Sequence, residues 1–349
     1  MSKLKLSMTC ALYDRTWALL DGSVKAQGLD LTIVPLQVGE IFWRQLHHAP
    51  EFDICELSLS GYLITRERKP PTYIAIPVFP SRTFRHSSIY INTGAGIREP
   101  RDMAGKRVGI PEYSMTAAVW IRGMLQDVYG VDLKTLRYVR GGETGYKGDE
   151  RVELDLPPEI RIESCPEGKT ISNMLAEGEI DAIFSPFPPA CFVAGHPKVA
   201  RLFPDWEAAE REYYTKTRLF PVMHTVAIRR EIYEQNRWIA TSLFTAFEEA
   251  KARCYQALVD DPGMPYSIPW FVLHALEQWR FFGTDPYAYG VEPNRHLLET
   301  VTRYSIEQGL THEKASVDEI FAPEMYDLYA AANVGQIPSR TLRGVLPPP

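Results

Sequence analysis

The chain has 349 residues, 45% of them hydrophobic and 23% charged, values that suit two globular domains and exclude wholesale disorder. A formal net charge of −6 leaves no excess of cations to neutralise a phosphate backbone, so no nucleic-acid partner is expected. No apolar run reaches the roughly 18 residues of a transmembrane helix, so no membrane partner is expected either.

The first element, residues 3–8, reads as a strand. It lacks the apolar core of an export signal, and a cytoplasmic location follows as an expectation. A helix over 15–25, closed near Gly28, leads to a second strand over 31–38. A short strand over 52–57 runs into Ser58–Gly61, and strand-like runs follow at 73–78 and 88–92 with a polar, cationic stretch between them. Residues 107–110 form a strand that enters a helix over 116–128. The Gly-rich polar segment 141–168 reads as a long loop or hairpin at the rim of a cleft. Strands at 181–184 and 225–228 come next, the first ending in Ser185 and a proline cluster. Beyond 230 the chain is largely helical. Ile239, Leu243, Phe247, Ala250, Cys254 and Ala257 recur at helical spacing, which predicts a core-facing stripe. The Pro-rich end 345–349 reads as a surface tail.

This alternation of strands and helices is the α/β pattern. The late strand at 225–228 predicts a discontinuous first α/β domain, residues 1–92 and 218–349 with the C-terminal helices, and an inserted second α/β domain over 93–217.

Familiar cofactor motifs are missing. Gly168-Lys169-Thr170 resembles the end of a nucleotide-binding loop, but Glu163 stands where its first glycine belongs. Gly141–Gly145 lacks the helix and the following acid of a dinucleotide fingerprint. The adjacent His47 and His48 do not share a helix face and read as solvated. The five cysteines, Cys10, Cys55, Cys165, Cys191 and Cys254, are widely spread with no Cys-x-x-Cys pair, which predicts reduced thiols.

Polar residues gather where strands end, the place at which open α/β sheets bind ligands. Arg15 and Thr16 follow the first strand. Glu56 and Ser58 close the third. Arg82, Arg85 and His86 fall within five residues, and a guanidinium fork matches a carboxylate. Glu112, Tyr113, Ser114, Met115 and Thr116 precede a helix whose free N–H groups favour an anion. Ser185 and His224 stand at later strand ends, and a cleft histidine is the natural proton carrier at neutral pH. Each segment also has an ordinary structural explanation, as a helix cap, a solvated loop or a buried histidine.

The stretches Asp-Ile-Cys-Glu-Leu-Ser, Pro-Val-Phe-Pro-Ser-Arg-x-Phe-Arg-His-Ser and Arg-Val-Gly-Ile-Pro-Glu-Tyr-Ser-Met-Thr-Ala resemble the 4,5-dihydroxyphthalate decarboxylase family. Gly-Glu-Ile-Asp-Ala-Ile-Phe-Ser-Pro, Phe-Pro-Val-Met-His-Thr and Gly-Thr-Asp-Pro-Tyr-Ala-Tyr-Gly extend the resemblance over nearly the whole chain. It implies a type II periplasmic-binding-protein-like fold with an interdomain cleft. It also implies non-oxidative removal of one carboxylate from an aromatic dicarboxylate, giving 3,4-dihydroxybenzoate in phthalate degradation.

Each carboxylate of such a substrate has a hydroxyl para to it, so the ring serves as its own electron sink and no organic cofactor is required. A divalent metal on the two ring hydroxyls is an alternative activator. On this reading Arg82 and Arg85 anchor carboxylates, helped by Ser114–Thr116 and Arg15. His224 or His86 donates the proton, and Glu112 is either the phenol base or the partner of the histidine. A solute receptor without catalysis, and an enzyme of the same fold with another substrate, are the competing readings. Assembly of identical chains is left open.

Overall fold

The structure, a computed structural model, describes residues 3–47, 49–142, 148–260, 267–313 and 315–326. The strands among them are β1 (Leu4–Cys10), β2 (Leu29–Pro35), β3 (Ile54–Ser58), β4 (Tyr73–Ile76), β5 (Ile89–Asn92), β6 (Arg107–Ile110), β7 (Arg137–Arg140), β8 (Ile162–Ser164), β9 (Ala182–Phe184), β10 (Val199–Arg201) and β11 (His224–Arg229). They form two sheets, one in the order β2-β1-β3-β11-β4 and one in the order β10-β5-β9-β6-β7-β8.

In the first sheet β1 runs parallel to β2 and β3, and β11 returns antiparallel between β3 and β4. β3 and β4 are buried at every position, which is why they read as unbroken apolar runs rather than alternating ones. The exceptions in kind are Ser58 at the end of β3 and Glu56, a carboxylate with no exposed surface in its middle. In the second sheet β6 is parallel to β7 and β9, while β5 pairs antiparallel with β9 and β10. The strand Ile89–Asn92, which the boundary at 92 assigns to the first unit, is therefore hydrogen-bonded into the second sheet.

The helix Thr116–Asp127 ties the two sheets together. Thr116 Oγ1 lies 2.8 Å from Ser58 Oγ and accepts from the Ser60 N–H, and Trp120 Nε1 donates to the Val222 carbonyl. Gly123 lets this helix meet Arg295–Glu307, since a Cβ there would fall 2.1 Å from the Tyr304 ring. Among the described residues no helix is long and apolar enough to cross a membrane.

Several expected elements differ. The helix over 15–25 is a 3-10 turn, Asp14–Thr16, followed by the single turn Trp17–Leu20, because the chain reverses at Asp21–Gly22, with Gly22 at φ 76°. In the helix Trp238–Asp260, Ile239, Leu243, Phe247 and Ala250 are buried as expected, but Cys254 is only half-buried and Ala257 is exposed. Tyr255 and Leu258 take over the buried face there, packing with Trp279 in a small separate cluster. The segment 141–168 contains β8 and is only partly a loop. Residues 143–147, His48 and the 345–349 tail lie outside the described residues.

Candidate active site

The carboxyl ends of β1, β3, β6 and β9 and the start of β11 converge on a cavity of about 790 Å³, within the roughly 300–1,000 Å³ usual for small-molecule sites. Phe42, Met115, Pro186, Phe187 and Val193 give it apolar walls. Its polar lining comes from Tyr13, Ser58, Ser81, Arg85, Glu112, Thr116, Arg151, Ser185 and His224.

The register of β3 and β11 builds the central pair. His224 is paired with Ser58 and Val226 with Glu56, so Glu56, Ser58 and His224 project to one face of the sheet. The diagonal contact across the ladder brings His224 Nδ1 to 2.6 Å from Glu56 Oε1. Glu56 also accepts from the Tyr13 hydroxyl at 2.6 Å, the Ala11 N–H at 2.9 Å and Cys10 Sγ at 3.3 Å. Burial alone would raise this carboxyl. The hydrogen bonds and charge of His224, then the bonds from Tyr13 and Ala11, outweigh burial and hold it below the usual glutamate range. With Nδ1 committed to Glu56, Nε2 is the ring nitrogen left for a ligand. The edge of the Phe42 ring packs against the imidazole at 4.9 Å.

A second ion pair lies in the same cavity. Arg151 Nη1 is 2.8 Å from Glu112 Oε1, and Glu112 is 3% exposed. Burial pushes the Glu112 carboxyl up to about 7 against the opposing pull of Arg151. Arg85 also faces the cavity, with Nε on Met223 Sδ, and burial lowers it only to about 10, so it stays charged at neutral pH. Among the described residues no group of three or more His, Cys, Asp and Glu side chains is placed to hold a metal ion.

Of the residues singled out in the sequence, Ser58, Arg85, Glu112, Met115, Thr116, Ser185 and His224 line the cavity, and Glu56 stands directly behind His224. The others face elsewhere. The backbone at Arg82 is extended, bridged to Val222, so Ser81 and Arg82 point to opposite sides. Ser81 meets the cavity; Arg82 donates to the Ala288 carbonyl and Asn294 Oδ1. His86 is fully buried among Tyr129, Phe203 and Tyr213, and burial lowers it to about 4, leaving it neutral at pH 7 and unable to act as the cationic acid of this cavity. Arg15 is sandwiched between the Tyr13 and Tyr287 rings and donates to the Pro80 carbonyl. Thr16 Oγ1 donates back to the Tyr13 carbonyl.

Tyr113 donates its hydroxyl to the Gln308 carbonyl, away from the cavity. Just ahead of the helix, Glu150 accepts from the Tyr113 and Ser114 N–H groups and from Ser114 Oγ, so Ser114 is engaged by the protein itself, while Met115 and Thr116 at the helix start line the cavity. Glu112 is not the partner of the histidine; Glu56 holds that place. Sequence reading missed Arg151, which sits in the 141–168 segment among acidic neighbours, and did not assign Tyr13 to the lining, though it stands in the polar stretch after β1.

No family profile matches the chain. It is 40% identical over 323 residues to 4,5-dihydroxyphthalate decarboxylase of Comamonas testosteroni, covering 93% of this chain and 98% of that protein. The chain belongs to the 4,5-dihydroxyphthalate decarboxylase family. A second member of that family, the 4,5-dihydroxyphthalate decarboxylase of Pseudomonas putida, is 45% identical over 216 residues, covering 61% of this chain and 83% of its own length. Among solved structures, the putative periplasmic sulfonate-binding protein SsuA of Methylobacillus flagellatus KT superposes with a TM-score of 0.53 at 15% identity, covering 100% of this chain and 98% of that one. This decarboxylase-family chain thus has the periplasmic-binding-protein-like fold, with strands mixed in direction in both sheets.

Proposed function

We propose that the protein is a carboxy-lyase that converts 4,5-dihydroxyphthalate to 3,4-dihydroxybenzoate and CO₂ in phthalate degradation. The observation that carries this reading is the cavity-lining histidine backed by a fully buried carboxylate, in a chain that matches a 4,5-dihydroxyphthalate decarboxylase over nearly its whole length.

Arg85 and Arg151, the arginines lining the cavity, hold the substrate's carboxylates by charge-assisted hydrogen bonds. Ser58, Thr116 and Ser185 offer hydroxyls to the ring substituents, and Glu112 takes the proton of the phenol para to the departing carboxylate. The phenolate pushes electrons to that carbon, and His224, through Nε2, delivers a proton there. The resulting dienone accepts the electron pair of the carbon–carbon bond as CO₂ leaves, restoring the aromatic ring as its phenolate. Glu56 keeps the imidazole oriented and balances its charge when it carries two protons. Apolar walls beside these groups lower the local dielectric, which strengthens their interactions. Five cysteines without a disulfide fit a reducing compartment, and we place the enzyme in the cytoplasm.

Purified protein mixed with 4,5-dihydroxyphthalate, with and without chelator, tests the reading. Stoichiometric CO₂ and 3,4-dihydroxybenzoate are expected. Binding without loss of substrate in either mixture would make the protein a receptor.

A further inference from the structure

A cavity meant for a dianion holds, on one of the two arginines that line it among the described residues, a carboxylate of its own. Glu112 and Arg151 both line the cavity, 2.8 Å apart, and their side chains are 3% and 18% exposed. Arg151 Nε is buried with no hydrogen-bond partner among the described residues, so the guanidinium has donor capacity to spare. When an aromatic dicarboxylate enters, three carboxylates compete for Arg85 and Arg151 between apolar walls. One negative charge is then left without a counter-charge, which a buried site does not tolerate.

We infer that Glu112 keeps on Arg151 the place a substrate carboxylate takes, and that ligand binding moves Glu112 off the guanidinium and puts a proton on it. The inference rests on the decarboxylase reading, because it takes the ligand to be an aromatic dicarboxylate. Only one O–H bond is formed: Glu112 carboxylate plus a proton gives the neutral acid, and the proton leaves when the product does. In turnover the phenol of the substrate supplies it, so the negative charge passes from Glu112 to the phenolate that drives the reaction; when the ligand has no phenol, water supplies the proton and the charge leaves the site.

The groups facing Glu112 set the direction. Burial is the largest influence and favours the neutral acid, Glu150 adds repulsion, and Arg151 and, more weakly, Arg140 oppose them. His224 and Arg85 stand in the same cavity. Removing Arg151 from Glu112 therefore strips away the chief support of the charged form, and proton uptake follows. Arg151 thereby becomes an anchor available only to a ligand that can displace a carboxylate, which selects dianions over neutral aromatics.

Phthalate, which lacks hydroxyls and does not react, is the probe. It is titrated calorimetrically into the full-length protein at pH 6 and pH 8, in buffers of different ionisation enthalpy. At pH 8 the protein is expected to take up more than about half a proton per phthalate bound, and at pH 6 much less, because Glu112 with a pKa of about 7 is already mostly protonated there. The dissociation constant should rise towards about tenfold per pH unit above 7. Glu112→Gln should bind phthalate with no such uptake and a flat pH dependence. Absence of uptake by the unmodified protein at pH 8 overturns the inference, as does equal uptake by Glu112→Gln. Turnover of 4,5-dihydroxyphthalate by the same preparation separates the two levels. Turnover without uptake rejects this inference alone, whereas neither turnover nor phthalate binding rejects the decarboxylase reading and the inference with it.

Discussion

Replacing Glu56 by glutamine changes the charge behind His224 while nearly keeping its shape. The carboxylate accepts four bonds, from Tyr13, His224, Ala11 and Cys10. An amide has one accepting oxygen, which can keep the Ala11 N–H and at most one neighbour, and its nitrogen cannot accept from His224. At least one charge-assisted bond worth about 1.5–3 kcal/mol is lost. Stability should nonetheless change little, because glutamine is spared the desolvation of a wholly buried charge. Turnover is another matter: the imidazole loses both its orientation and its counter-charge in the protonated state. General acid–base catalysis contributes about 10²–10⁴ in rate, so Glu56→Gln is expected to lower kcat by about a hundredfold or more. KM should move far less, since Arg85 and Arg151 hold the carboxylates. Steady-state CO₂ release and thermal melting on one preparation give kcat, KM and fold together. A folded variant with unchanged kcat, or one whose loss lies wholly in KM, would refute the role of Glu56 as the positioning residue of His224.

His224→Gln should retain a hydrogen bond to Glu56 and the fold, and lose at least about a hundredfold in turnover with little change in phthalate binding; near-normal turnover would remove His224 from the reaction. Arg85→Ala should weaken phthalate binding by roughly ten- to a hundredfold, as read by calorimetry. Arg82→Ala should instead lower the melting temperature, losing about 1.5–3 kcal/mol for each bond to Ala288 and Asn294, with binding unaffected in protein that stays folded. His86 has a folded pKa near 4 against an ordinary 6.5, so protonation of the unfolded chain removes stability as pH falls through that window, by about 3 kcal/mol in all. Glu112 and Glu210, both raised to about 7 by burial, act oppositely over pH 7 to 4.5. The contribution of His86 is therefore read as the difference in denaturant stability between the unmodified protein and His86→Phe at pH 7 and pH 4.5, and equal pH dependence of the two would contradict it.

The gathering of polar residues at strand ends was legible from the chain alone, and so was the return of a late strand to the first sheet. Val226 and Ile228 fill β11, and His224 opens it beside β3. What the sequence could not tell was which side chains meet. Glu56 and His224 are 168 positions apart, and only the register of β3 on β11 sets them diagonally opposite. Glu112, the carboxylate that sequence alone offers His224, pairs with Arg151 instead. Arg82 and Arg85 look equivalent in sequence. One extended residue at Arg82 turns its side chain from the cavity to the Ala288–Asn294 loop, and no composition argument predicts that alternation without the bridge to Val222. The residues just before the helix do hold an anion on the Tyr113 and Ser114 N–H groups, but that anion is Glu150.

In the proposed reaction this cavity delivers a proton to a ring carbon as CO₂ leaves. Turnover of 4,5-dihydroxyphthalate in D₂O, followed by proton NMR of the product, tests it most directly. Expected are 3,4-dihydroxybenzoate carrying a single deuterium at the carbon that lost its carboxylate, one CO₂ for each product molecule, and at least about a hundredfold slower formation by His224→Gln. Recovery of unchanged substrate from a protein that binds it would rule out decarboxylation, and product formed at the same rate by His224→Gln would rule out His224 as the proton donor.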